Sequence, residues 1–150
     1  MDPATVSPWS SNWIWGLPMI VVTVAFHGFC LGLLHSRGSL FLSKWKGDFL
    51  PRRFTAVVMG VTALCVAFLH GLEAMMWAGL YLALGALPDH RTAVLYSLGA
   101  MTTFGNANLH LPLHWQLMGV LEASNGWILF GLTTAFMFTI MQSILVKPHS

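Results

Sequence analysis

The chain has 150 residues, enough for one domain, and 56% of them are apolar against 8% charged, with a mean hydropathy of +0.69. A soluble globular chain carries about 25% charged residues, so this composition excludes an ordinary soluble domain and points to a membrane protein. The net charge of +2 does not indicate a nucleic-acid partner, because five of the seven basic residues (Arg37, Lys44, Lys46, Arg52 and Arg53) sit in one short segment.

A membrane span needs about 20 consecutive apolar residues. The first candidate, residues 14–34, contains no Lys, Arg, Asp or Glu. Trp9, Trp13 and Trp15 cluster at its start, as aromatic residues do at a membrane interface. Pro18 lies near the beginning of the run, where a helix tolerates it. Residues 1–13 read as an N-terminal tail. Asp2 and the lack of an early Lys or Arg leave no basic n-region for a signal peptide. The basic segment 37–53 follows. Cytoplasmic loops carry the excess of positive charge, which places this loop inside and the N-terminus outside. Residues 54–87 form a second apolar run, about 50 Å long if wholly helical. That exceeds a hydrocarbon core of ~30 Å, so the helix is tilted, kinked or extended beyond the bilayer. Pro88 and Asp89 are expected to end it on the outer side. The last run, 117–146, closes at Lys147 and Pro148, on the inner side, with residues 147–150 as a tail.

Residues 92–104 are left between the second and third runs. As a helix they would be about 20 Å long, too short to span. The flanking helices run in opposite directions, so this segment must enter and leave from the outer side. Such a course is tolerated where protein or a water-filled cavity covers the backbone. The expectation is an all-α transmembrane chain of three spans plus an outer re-entrant helix and loop. Residues 14–53 then hold the first helix and the basic loop, and 54–146 form one unit of outer helix, re-entrant loop and inner helix. A multi-pass protein of the cell (inner) membrane with a cytoplasmic C-terminus follows. Four full spans is the alternative, and it would put Lys147 outside.

The run HGLEAMMWAGLYLALGAL from His70, then TAVLYSLGAMTTFGNANL, then WQLMGVLEASNGWILFGLTTAFMF resembles a family of small bacterial ion-channel-domain proteins. These are similar to the pore module of potassium channels. The resemblance covers roughly residues 54–141. It implies an outer helix, a pore helix, a filter and an inner helix, assembled as a homotetramer in a lipid bilayer. It also implies permeant monovalent cations in place of any bound cofactor, and no enzyme activity. The family's filter pattern is T-T-x-G-Y-G-D. Thr102, Thr103, Phe104 and Gly105 match it; Asn106, Ala107 and Asn108 depart from it. A potassium filter presents rings of backbone carbonyls to the ion. Glycine reaches left-handed conformations cheaply, whereas a residue with a Cβ loses roughly 1–2 kcal/mol there. Four copies of Ala107 would therefore cost about 4–8 kcal/mol if the usual filter shape were kept. The expectation is a weakly selective pore or a loop that no longer conducts.

Other residues add detail. His70 and Glu73 are three apart, with Trp77 one turn on, so they share a helix face. With Glu122 they are expected to form a polar brace behind the loop, since ionisable groups inside spans face protein. Gly126 and Gly131 are candidate hinges of the inner helix. His27 is expected to be a hydrogen-bonded packing histidine. Counted from the inner ends of the apolar runs, it lies about 11 Å up and His70 about 24 Å up, too unequal for one haem. His110 and His114 flank Pro112, which interrupts the helix that an i, i+4 zinc pair would need, and no metal site is expected. Cys30 and Cys65 fall in apolar runs and read as small hydrophobes. Two other functions remain: a non-conducting membrane scaffold or partner-binding subunit, and a His-ligated membrane redox protein.

Overall fold

The computed structural model describes residues 8–43, 52–105 and 108–145. Among them lie four α-helices: α1 (Pro8–Ser43), α2 (Arg52–Ala83), α3 (His90–Met101) and α4 (Gln116–Leu145), with one 3-10 turn at Leu113–Trp115 before α4. α1, α2 and α4 are long and apolar enough to cross a membrane, as a multi-pass membrane protein requires. α3 has 12 residues, about 18 Å, and is too short to do so.

α1 begins earlier and ends later than its apolar run. Its start at Pro8 lies inside the segment expected to be a tail, and Pro18 is therefore an interior residue of the helix. Asn12 accounts for the early start. Its side-chain amide donates to the His114 carbonyl at 2.7 Å, and its Oδ1 accepts from the Met118 N–H at 3.0 Å. Met118 is in the first turn of α4, where backbone N–H groups have no partner within their own helix. A residue near one end of the sequence thus caps a helix near the other. Further down the same seam, a Cβ on Gly16 would stand 2.5 Å from Leu121 Cδ1. Asn125 Nδ2 donates to Thr23 Oγ1 at 2.8 Å. α1 and α4 therefore run parallel, and α2 runs antiparallel to both.

The end of α2 is set by glycine. Gly85 has φ +63°, Ala86 N donates to Tyr81 O at 2.8 Å and Gly85 N to Leu82 O at 3.0 Å. This pair of bonds is the Schellman arrangement, which satisfies the last carbonyls of a helix. The helix stops at Ala83, before the Pro88-Asp89 pair expected to end it. Asp89 instead starts α3: its carboxylate accepts from the Thr92 N–H at 3.0 Å and the Thr92 hydroxyl at 2.7 Å.

α3 lies against α2 and α4 and takes its depth from two glycines of α4. A Cβ on Gly119 would collide with Tyr96 Oη, and one on Gly126 with the Met101 carbonyl oxygen. α3 thus descends beside the first 15 Å or so of α4. The chain then turns back. Gly105 N donates to Gly99 O at 3.0 Å, and Leu111 lies buried with its Cδ1 3.5 Å from where a Cβ on Gly119 would stand. Segment 90–111 consequently begins and ends at the same end of the three long helices. The core sits around it: Trp77, Tyr81, Ala93, Met118 and Leu129 are fully buried.

Gly126 and Gly131 behave differently in this packing. The Gly126 Cα faces backbone, with the Met101 carbonyl carbon 2.9 Å from where a Cβ would stand, whereas nothing lies within 4 Å of a Cβ on Gly131. Gly126→Ala is expected to destabilise by about 1–3 kcal/mol, the usual cost of overpacking. Gly131→Ala is expected to be neutral or to stabilise by up to about 1 kcal/mol through helix propensity. Thermal unfolding of the two variants in one detergent tests this, and equal melting temperatures would show that α3 does not sit on Gly126.

Candidate functional site

The loop after α3 is the first part of the site. Thr102 ends the helix at φ −85°, ψ −1°. Thr103 follows with φ +54° and Gly105 with φ +66°. Gly105 takes that conformation without a steric cost. Thr103 does not: a β-branched residue at positive φ is a true outlier, strained by about 1–3 kcal/mol. The surrounding bonds hold it there. Thr103 N donates to Ala100 O at 3.0 Å and its hydroxyl to Thr102 O at 2.7 Å. The Thr102 hydroxyl reaches back to Leu98 O at 2.6 Å. The loop faces away from its own chain. Thr102, Thr103, Gly105 and Asn108 are exposed, and Phe104 is 89% exposed. Asn106 and Ala107, on which the selectivity expectation rests, lie outside the described residues.

Behind α3 lies a buried carboxyl. Glu122 is fully buried between α2, α3 and α4. The Tyr81 hydroxyl donates to its Oε2 at 2.7 Å, and Ser97 Oγ meets its Oε1. Ser97 Oγ also meets the Ala74 carbonyl at 2.7 Å. One hydroxyl proton cannot serve both acceptors, so a proton on Glu122 itself completes the set. The ring of Tyr81 meets Tyr96 edge-on, with centroids 5.5 Å apart. These bonds fix α3 at its middle, four residues before the loop.

A second polar group lies deeper. His27 Nδ1 is 2.8 Å from Glu73 Oε1, and His70 Nδ1 is 3.4 Å from Glu73 Oε2. The two Nε2 atoms are each 3.1 Å from Thr133 Oγ1. His27 and Glu73 are fully buried. The residues expected to form one brace thus divide between two clusters. Glu122 joins Tyr81 and Ser97; Glu73 and His70 join His27 and Thr133. Trp77 lies between them, fully buried, and its indole N–H has no partner among the described residues.

The depth argument that separated His27 from His70 is overturned: their ring centroids are 5.2 Å apart. α1 does not end with its apolar run at residue 34. The helix continues to Ser43, so His27 stands about 24 Å above its end, against about 27 Å for His70 above the start of α2. Tyr81 had a readable signal, since it lies four residues beyond Trp77 on the buried face of α2. Ser97 and Thr133 had none, because single hydroxyls in apolar helices commonly bond their own backbone.

Two outcomes follow. Glu122→Gln keeps an acceptor for Tyr81 and a donor for Ser97, and is expected to fold with little loss. Glu122→Ala strands both partners and is expected to cost about 1–3 kcal/mol. Denaturation in detergent checks the order, and a Gln variant as weak as the Ala variant would refute the pairing. At the start of α3, the Thr92 N–H and then its hydroxyl hold the Asp89 carboxyl below its ordinary range. A depressed folded pKa makes the cap's contribution present above the unfolded value and lost as pH falls through the folded one. The protection factor of the amides at the first turn of α3, measured against the intrinsic rate at each pH, should therefore fall on acidification, and an unchanged protection factor would remove the cap. No family model, curated protein or solved structure matches this chain.

Proposed function

We infer that the chain is one subunit of a potassium-channel-like pore. Four copies surround a central axis, and residues 102–107 line a passive path for monovalent cations. The observation that carries this reading is the course of segment 90–111. A 12-residue helix goes partway along α4 and the chain reverses at two Thr residues, with Gly105 beside Gly99. α2 and α4 are then the outer and inner helices, and the 90–111 excursion enters and leaves the membrane on the outer side. Exposure supports assembly. Thr103 and Phe104 face outward from a single chain, where one loop supplies only a quarter of a carbonyl ring. A membrane-buried backbone of this kind needs protein or water around it, and three neighbouring copies provide both. The inner side carries the 37–53 loop and the C-terminus.

The haem reading loses its basis in the same geometry. Both Nε2 atoms point at one hydroxyl, which leaves no gap between the imidazoles for a macrocycle.

Reversal potentials in planar bilayers under a potassium–sodium gradient test the proposal. The wild-type protein is expected to pass both ions with little preference. Asn106→Tyr with Ala107→Gly restores the family pattern except at Asn108, and the double variant is expected to shift toward potassium. Strong potassium selectivity in the wild type would overturn the filter argument, and absence of current in both would leave the non-conducting scaffold. Native mass spectrometry in mild detergent should show a tetramer; a stable monomer or dimer as sole species would exclude the ring.

A further inference from the structure

The cluster of His27, His70, Glu73 and Thr133 is not needed by the pore reading, and it leaves one buried oxygen unpaired. Three hydrogen bonds join the residues: His27 Nδ1 to Glu73 Oε1, and each Nε2 to Thr133 Oγ1. Two imidazoles carrying one N–H each and one hydroxyl supply the three hydrogens these bonds use. None is left for the remaining position: Glu73 Oε2 is buried and makes no hydrogen bond among the described residues, although His70 Nδ1 stands 3.4 Å away. A buried carboxylate oxygen left this way is costly. The gap is lined by lone pairs and asks for a cation.

We propose that His27, His70 and Glu73 bind a divalent transition-metal ion of the zinc class through the two Nδ1 atoms and the Glu73 carboxylate. Two imidazoles and one carboxylate are a common zinc set that keeps a fourth position open. One ligand atom from each of the three residues lies within 4.8 Å of the others. Tetrahedral ligands at zinc distances are about 3.4 Å apart, so the His70–Glu73 spacing of 3.4 Å already fits and the His27–Glu73 pair, at 2.8 Å, must open slightly. The half-exposed His70 ring, 27% accessible against 0% for Glu73, is the one free to move, and its side of the cluster is the entry. With the metal on both Nδ1 atoms, both Nε2 positions carry hydrogen and donate to Thr133 Oγ1, which has two lone pairs for them. A metal-bound histidine ordinarily donates its other N–H in this way, and here one hydroxyl serves both rings. The ion joins α1 to α2 at mid-length and makes α4, through Thr133, part of its surroundings.

The test uses tag-free, chelator-stripped full-length protein in detergent. Its readouts are metal content, calorimetric titration with zinc, the visible spectrum with cobalt(II), and thermal unfolding, none of which depends on conductance. Failure of the pore reading therefore leaves this result unaffected. One zinc per chain is expected, with tetrahedral cobalt bands and a raised melting temperature. His70→Ala and Glu73→Gln should abolish binding, and Thr133→Val should weaken it by about 10–100-fold. His70 is partly exposed, so His70→Ala remains informative if Glu73→Gln fails to fold. His110→Ala with His114→Ala should change nothing. No saturable binding, or binding that survives His70→Ala, overturns the proposal. The first result would assign the gap to an extra proton, and the second would move the metal elsewhere.

Discussion

The Glu122 carboxyl, held between Tyr81 and Ser97, is the contact on which the arrangement of the loop depends. α3 is too short to be stable alone and has no long apolar face to dock. Its place is fixed by a few specific contacts: Ser97 to Glu122 and Ala74, Tyr96 over Gly119, and Met101 over Gly126. Tyr96 and Ser97 point from one turn of α3 toward different neighbours and Met101 lies one turn on, so together they set depth, tilt and rotation. The strained Thr103 follows directly on this fixed helix. Strain of this kind persists only where its surroundings over-determine it, and a loosened α3 would release it.

The same logic holds for the long helices. In a lipid setting the apolar faces give little preference for one helix pairing over another, and packing plus buried polar contacts decide. The parallel seam of α1 and α4 illustrates this. Asn12, Gly16, Thr23 and His27 meet Met118, Leu121, Asn125 and Thr133 in order along the two helices. A slip by one turn would break each of these contacts. The large apolar side chains of the same helices, among them Val21, Phe29, Phe130 and Phe138, point outward. The long helices thus present large apolar side chains outward as well as into the core, and their buried polar groups lie along the seams between them.

Much of this was legible in the sequence. Three long apolar runs, a short segment between the second and third, and a shared face for His70, Glu73 and Trp77 all follow from residue type and helical period. The exact ends did not. Apolar runs mark where a helix can be buried, whereas helix ends are set by capping. Asn12 extends α1 by a contact 106 residues away in sequence, and Gly85 stops α2 ahead of Pro88 by a local backbone conformation. The misplaced end of α1 then propagated into the depth of His27 and hid its contact with Glu73 and His70. Pairings across three helices depend on rotation and register together, and neither is fixed by composition.

The two polar clusters also differ in what they leave open, and the difference lies in the carboxyl oxygens. The Glu122 cluster closes: the Tyr81 hydroxyl donates to one oxygen, a proton on the other reaches Ser97, and Ser97 donates to the Ala74 carbonyl, so both oxygens are engaged. The Glu73 cluster leaves one oxygen, Oε2, at full burial with no hydrogen-bond partner among the described residues. A closed network rigidifies what surrounds it, while an incomplete one is satisfied only by something added. The closed cluster lies beside the loop, where a fixed backbone is needed. The open one lies deeper, between the long helices, where an added charge acts on how α1 and α2 are held together. Position along the bundle thus separates a group that holds the loop in place from one suited to receive a ligand, although both began in the sequence as a glutamate within an apolar run.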